Sequence, residues 1–202
     1  MTTKPGEAAD RFEERRRELA ESALATLGRL GYARTSLGEI AGDSEFSHGV
    51  LHYYFRDKLE LILFCVRHYK ARCVQRYDGV VNASTTAEDL LAGFVAKLAE
   101  TLVQEAPMHR LWYDLRCQSM FETDLRDAVE AIDRTLEQMI WRVVVRYAEL
   151  LEVAVPATPT LVYGLLDGVL FQQALLAHTT GRDDATARLE DEVRATMTML
   201  LC

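Results

Sequence analysis

Structure breakers are scarce in this chain: four prolines and eleven glycines among 202 residues. That scarcity argues against many short strands joined by tight turns and favours long helices. No run of eighteen consecutive apolar residues occurs, so the sequence offers no membrane span. Cysteine is sparse and scattered. Cys65, Cys73, Cys117 and Cys202 show neither a CxxC pair nor a metal-ligand spacing. They read as reduced thiols, mostly core, in a cytoplasmic protein. Met1 to Asp10 has no apolar stretch of the kind that marks a signal or transit peptide. A glycine-rich phosphate loop, a nucleophile elbow and a cysteine–histidine pattern are also missing, so no catalytic residue, metal or cofactor is expected.

What is present supports a sizeable core, since 49% of residues are hydrophobic and 27% are charged. The net charge of −8, taken whole, is adverse to nucleic acid, but it is unevenly distributed. Residues 1–80 hold 13 Lys/Arg against 12 Asp/Glu, whereas residues 81–202 hold 10 against 19. The acidity belongs to the second part, and basic groups in the first can gather on one face.

Helical periodicity runs through the whole chain. In residues 11–30 it groups Leu19, Ala23 and Leu27, behind an arginine-rich first half, and Gly31 ends the segment. Ser36 and Glu39 have the spacing of a capping box for a short second helix. The residues DSEF (43–46) break it, Ser47 caps a third short helix, and Asp57 caps a fourth. Further helices follow over 87–105, 108–121, 124–152 and 160–179, and a last one, capped by Asp183 or Asp184, runs to about Leu200. The fold class expected is all-α, with about nine helices and no strands.

The segment SHGVLHYYFRDK (47–58) crowds histidines and aromatics around a glycine. At about 100° per residue, Leu51 and Phe55 share an inner face, while Gly49, Val50, His52 and Tyr53 face outward. An outward glycine mid-helix costs about 1 kcal/mol against alanine, which makes sense where another surface must approach the backbone. Two short helices, a tight turn and a polar outer face on the second helix describe a helix-turn-helix, whose second helix enters the major groove. His48 and His52 also have the i, i+4 spacing of a zinc pair, but the segment supplies no third ligand.

TSLGEIA followed by SHGVLHYYFRDKLEL resembles the amino-terminal signature of the TetR family of bacterial transcriptional regulators, over roughly residues 15–63. The resemblance implies an all-α homodimer. Residues 10–56 would form the helix-turn-helix DNA-binding domain. Residues 57–202 would form a linker helix with a ligand-binding and dimerisation domain. DNA-contact candidates are Thr35, Ser36 and Ser47 at helix starts, where hydroxyls and free N–H groups suit a phosphate or simply cap. His48, Val50 and His52 are candidates for base edges, with Gly49 giving close approach. Tyr53 is a candidate for phosphate contact, and Lys58 matches a phosphate-contacting position of the family. Ser44-Glu45-Phe46 stands where members often carry Ala-Gly-Val, and a non-glycine residue in a left-handed turn there would cost on the order of 1 kcal/mol.

The second part is the expected sensor. Phe94, Leu98, Trp112, Tyr113, Arg116, Met120, Phe121, Met139, Tyr163, Phe171 and Gln172 could line a small-molecule cavity, or be plain core. Arg116 needs an anionic partner, such as Asp114, Glu122 or a ligand. Residues 161–176 are apolar nearly all round, with Gly164 and Gly168 four apart, which demands burial on two sides. A second copy packed through the last two helices, about 160–200, supplies the second side. Asp167, Gln172 and Gln173 speak against membrane insertion of this helix. The expected partners are therefore a double-stranded DNA operator, a small-molecule effector and a second subunit, with no membrane. Two rivals are a helical enzyme, for which no catalytic pair is seen, and a protein–protein adaptor whose helix-turn-helix does not bind DNA.

Overall fold

The computed structural model describes residues 5–201, with side-chain surroundings from residue 10 onward; Met1–Lys4 and Cys202 lie outside the described residues. Among the described residues there are nine helices and no strand. They divide into two compact units. One holds the chain up to Tyr69 together with Arg110–Val129; the other holds Lys70–His109 and the chain from Glu130 onward.

In the first unit, helix α1 (Pro5–Arg34) buries Leu19, Ala20, Ala23 and Leu27 completely. Three of its arginines pair with acids: Arg15 with Glu18, Arg17 with Glu14 at 3.0 Å, and Arg16 with Glu60 at 2.7 Å. The helix breaks at Gly31, whose φ of 76° and ψ of 175° suit glycine alone. Helix α2 (Leu37–Asp43) starts with the capping box read from the sequence. Ser36 Oγ accepts from the Glu39 N–H at 3.2 Å, and Glu39 accepts from the Ser36 N–H at 2.7 Å. Helix α3 (His48–Tyr54) opens with Ser47 Oγ accepting from the Val50 N–H at 3.3 Å.

The turn between α2 and α3 corrects one expectation. Glu45 is not left-handed; among the described residues Glu152 is the non-glycine residue with positive φ. Ser44 is extended, and its hydroxyl accepts from the Phe46 N–H at 3.2 Å, so a side-chain turn replaces the glycine. Phe46 then turns inward to 8% exposure, with the Arg15 guanidinium 4.6 Å over its ring. Helix α4 (Lys58–Ala83) begins where Asp57 Oδ1 accepts from the Glu60 N–H at 2.8 Å. That backbone hydrogen bond, with Arg56 alongside, holds the Asp57 carboxyl below its ordinary range.

The other helices are α5 (Ala87–Gln104), α6 (Ala106–Gln118), α7 (Thr123–Leu151), α8 (Pro159–Thr179) and α9 (Ala185–Met199). Helices α4, α6 and α7 each contribute residues to both units. Helix α6 starts two residues earlier than the sequence suggested, because proline is tolerated in a first turn where no N–H is needed. Gly181, with φ of 82°, follows α8 as expected. Asp184 precedes α9, but its carboxylate accepts from Arg182 rather than from the backbone. In the second unit the core is built by Leu90, Phe94, Val143, Val162, Leu189 and Val193 among others.

Helix α8 is long and apolar enough to cross a membrane by length and composition, with a mean hydropathy of 1.4. It is not wound evenly. Gly164–Phe171 is π-helical, and the Gln172 N–H reaches back to Asp167 O. Winding closed over five residues brings Leu166 and Phe171, five apart, to one buried face.

Candidate nucleic-acid interface and ligand cavity

Helix α3 separates its faces as the sequence implies. Leu51 and Phe55 are fully buried, while His48, Gly49, His52 and Tyr53 are exposed, Tyr53 at 73%. Val50 and Tyr54 lie at the margin. The ring centroids of His48 and His52 are 4.5 Å apart, and Phe12 of α1 packs 4.8 Å from Tyr54 and 6.3 Å from Tyr53. A stiff outer face of two imidazoles, a bare backbone at Gly49 and a phenol offers donors, acceptors and close approach together. Among the described residues no group of three or more His, Cys, Asp or Glu could hold a metal.

Two further DNA candidates sit in the frame behind that face. Thr35 is buried, and its hydroxyl donates to Gly31 O at 2.7 Å. Lys58 donates to Tyr32 O at 3.0 Å, with its ammonium 4.4 Å from the Tyr32 ring centroid. Tyr32 itself is gripped at both ends. Its N–H donates to Asp114 Oδ2 at 2.8 Å, and its hydroxyl donates to Glu122 at 2.6 Å. Burial and then the Glu122 carboxylate push the Tyr32 hydroxyl up to about 12. The two acids offered as partners for Arg116 thus serve Tyr32. This cluster was missed because its members lie 82 and 90 residues from Tyr32.

The second unit contains a cavity of about 50 Å³ lined from five helices. Helix α4 supplies Lys70, Cys73 and Tyr77; α5 supplies Phe94, Leu98 and Thr101; α6 supplies His109. Leu136, Met139 and Ile140 come from α7, and Leu166, Asp167 and Phe171 from the π-helical part of α8. Tyr77 meets Phe94 edge-on at 5.7 Å and lies 3.4 Å from the Thr101 hydroxyl; burial pushes its own hydroxyl up. His109 packs 4.7 Å from Phe171. Burial first, then the charges of Lys70 and Arg76, hold its pKa well below the ordinary histidine value, so the imidazole is neutral.

Of the ligand candidates named from sequence, the cavity gathers Phe94, Leu98, Met139 and Phe171. The others do not line it. Trp112 and Tyr113 are core of the first unit, and the Arg116 guanidinium lies 5.8 Å from the Tyr113 ring centroid. Helix α6 ends at Gln118, which leaves Met120 and Phe121 in a turn, Phe121 at 81% exposure. Tyr163 donates to Asp133 at 2.5 Å, and Gln172 is exposed. Lys70 and His109 were not singled out from the sequence, and Asp167 was read only as speaking against membrane insertion. The signal available was their position on otherwise apolar helix faces.

Residues 19–64 match the family described as bacterial regulatory proteins, tetR family. The HTH-type transcriptional regulator BetI of Brucella anthropi is 30% identical over 82 residues, which are 41% of this chain and 42% of that relative. The chain thus matches less than half the length of this curated relative. Two solved structures resemble nearly all of it. The transcriptional regulator FadR from Bacillus subtilis in complex with stearoyl-CoA gives a TM-score of 0.70 at 13% identity, covering 91% of this chain and 96% of that one. A putative transcriptional regulator from Saccharomonospora viridis in complex with choline gives 0.72 at 18% identity, covering 92% and 96%. The fold they share is all-helical, with a helix-turn-helix near the amino terminus. The amino-terminal segment carries the tetR-family match, and the chain as a whole shares the fold of these structures.

Proposed function

We propose that this chain is a dimeric, ligand-responsive DNA-binding transcriptional regulator: a cytoplasmic repressor released from a palindromic operator by a small molecule. The observation that carries this reading is the outer face of α3, with His48, Gly49, His52 and Tyr53 exposed above a fully buried Leu51 and Phe55. Ser36 and Ser47 are exposed at helix starts, which suits phosphate contact, and half-buried Val50 is the candidate for a thymine methyl. Thr35 and Lys58 hold the frame, with further Lys58 N–H groups left for phosphate.

A second copy covers the outer side of α8 and α9. Leu161, Val169, Leu176 and Met199 are each about half exposed or more, and a Cβ added at Gly164 or Gly168 would meet nothing within 4 Å. Two copies present their α3 helices about one DNA turn apart to the halves of a palindrome. Effector in the second unit favours a conformer with a different spacing, and DNA then weakens effector binding by the same factor. Helix α6 suits this linkage, since it carries both His109 of the cavity and Asp114 of the Tyr32 cluster, five residues apart.

The test is selection from a random duplex pool, with the variant His48→Ala plus Tyr53→Ala as control. An enriched palindrome, lost in the variant and weakening steeply with salt, is the expected result. No enrichment at low salt, even after unfolding and refolding to strip bound ligand, would favour the adaptor.

A further inference from the structure

We propose that the cavity of the second unit selects a small uncharged aromatic molecule with a carbonyl-type oxygen, which accepts a hydrogen bond from the Tyr77 hydroxyl. This rests on the ligand-responsive reading above and names the class of its effector.

The hydrogen bonding of Tyr77 carries the inference. The residue is 5% exposed and lies on the cavity wall. Its hydroxyl is 3.4 Å from that of Thr101, another residue of the wall. Thr101 directs its one proton to carbonyls of its own helix, Lys97 O at 3.0 Å and Leu98 O at 3.2 Å. Tyr77 is therefore the donor of the pair. The bond is long, because O–H···O bonds gather near about 2.7–2.8 Å. Burial pushes the Tyr77 hydroxyl up, so it stays a neutral donor. A buried O–H held by so long a bond gains from a better placed acceptor. A guest oxygen at ordinary distance supplies one, and Thr101 keeps its own helix bonds when Tyr77 turns to the guest.

The rest of the wall describes the body of the guest. Tyr77 meets Phe94 edge-on at 5.7 Å, and His109 meets Phe171 edge-on at 4.7 Å. The neutral His109 packs there as a ring. Such pairs leave ring faces and edges on which a further ring can stack or abut. Met139 adds a thioether, which favours aromatic neighbours, and aliphatic side chains of α5, α7 and α8 complete the wall.

Charge on the guest is disfavoured. Lys70 and Asp167, the charged members of the wall, already have partners within the protein. A charged guest has to compete for them or stand unpaired among apolar groups. A neutral guest leaves those interactions as they are. Size sets a further limit. The cavity is about 50 Å³, against about 150 Å³ for an engineered apolar cavity that binds benzene. A one-ring guest therefore presses on the walls. Met139 and the π-helical part of α8 are able to give, the first by its flexible thioether and the second by rewinding.

The experiment uses the full chain and four flat molecules of nearly equal size: acetophenone, α-methylstyrene, benzoate and benzamidinium. They carry a carbonyl, a hydrocarbon group, an anion and a cation on the same phenyl body. Binding is read by thermal shift and calorimetry. Acetophenone should bind about fivefold tighter than α-methylstyrene, the gain of one hydrogen bond, and both ions should bind more weakly than either. Tyr77→Phe should abolish the preference by weakening acetophenone alone. Thr101→Val should widen it, because the phenol loses its internal acceptor. Structural damage would instead lower all four together, and the opposed shifts keep the test decisive if one variant does not fold. Equal binding of acetophenone and α-methylstyrene, an ion that binds tightest, a preference that survives Tyr77→Phe, or no binding by any of the four would overturn the proposal. Release of the selected operator separates the two readings. An ion that binds and releases DNA would leave the regulator standing and remove the uncharged guest. Acetophenone that binds through Tyr77 without affecting DNA would uphold the preference of the cavity and remove the ligand-responsive reading.

Discussion

In the first unit the polar side chains of α3 stand in solvent, while two apolar ones, Leu51 and Phe55, are wholly buried beneath them. In the second unit Lys70 and His109 are buried, and several large apolar side chains of α8 stand outside. The contrast follows from what each region is proposed to meet. DNA is a wide, charged surface, and a short helix can present polar groups to it at little cost in burial. A small molecule has to be surrounded, so the groups that recognise it must be taken from water and balanced against one another. Leu161, Val169 and Leu176 of α8 are exposed, and theirs is the face proposed to meet a second copy.

The comparison breaks first at α3. Leu51→Ala should cost about 2–5 kcal/mol in urea unfolding. Tyr53→Ala should stay within about 0.5 kcal/mol yet lose affinity for the selected operator. Similar stability losses for the two would mean that the outer face is structural. Next comes Gly31→Ala, which places a Cβ 3.0 Å from Asp114 Oδ2 at a φ of +76°. We expect a loss of roughly 1–3 kcal/mol. Gly79→Ala, on an open face of α4, should instead gain up to about 1 kcal/mol.

The cavity gives a pH-dependent test. His109 is neutral when folded and takes up a proton when unfolded, so its contribution is present above about pH 6.5 and is lost as pH falls below that value. Unfolding curves of the wild type and His109→Gln should diverge below about pH 6.5, the wild type losing up to about 1.4 kcal/mol more per pH unit. Parallel curves would show that the imidazole is not dry. A modest loss is expected at the α2 cap, where Ser36→Ala should cost about 1 kcal/mol and lower the melting temperature without changing effector binding.

The two regions were also unequally legible. The wheel placing Leu51 and Phe55 inside and His52 and Tyr53 outside needs a few residues of one helix, and the capping box at Ser36 is a local pattern. The cavity draws on five helices, and periodicity says which residues face inward but not which helices meet. Trp112 and Phe94 looked alike in sequence, yet one packs in the first unit and the other lines the cavity. Glu45 misled because a hydroxyl from Ser44 could make the turn that glycine makes elsewhere. Leu166 and Phe171 were not seen as neighbours because a period of 3.6 residues sets them apart, whereas the π winding does not.

That winding has a consequence for the length of the chain. Each turn closed over five residues instead of four takes up more sequence for the same rise, so Gly164–Phe171 stores slack within a continuous helix. Loss of one residue there can be absorbed by rewinding to the ordinary α form, with the flanking turns kept in place. The same loss in the evenly wound α7 would swing everything beyond it through about 100°. Helix α8 is therefore the place in this molecule where the outline of the cavity can be reset by a change in spacing alone, without a new side chain.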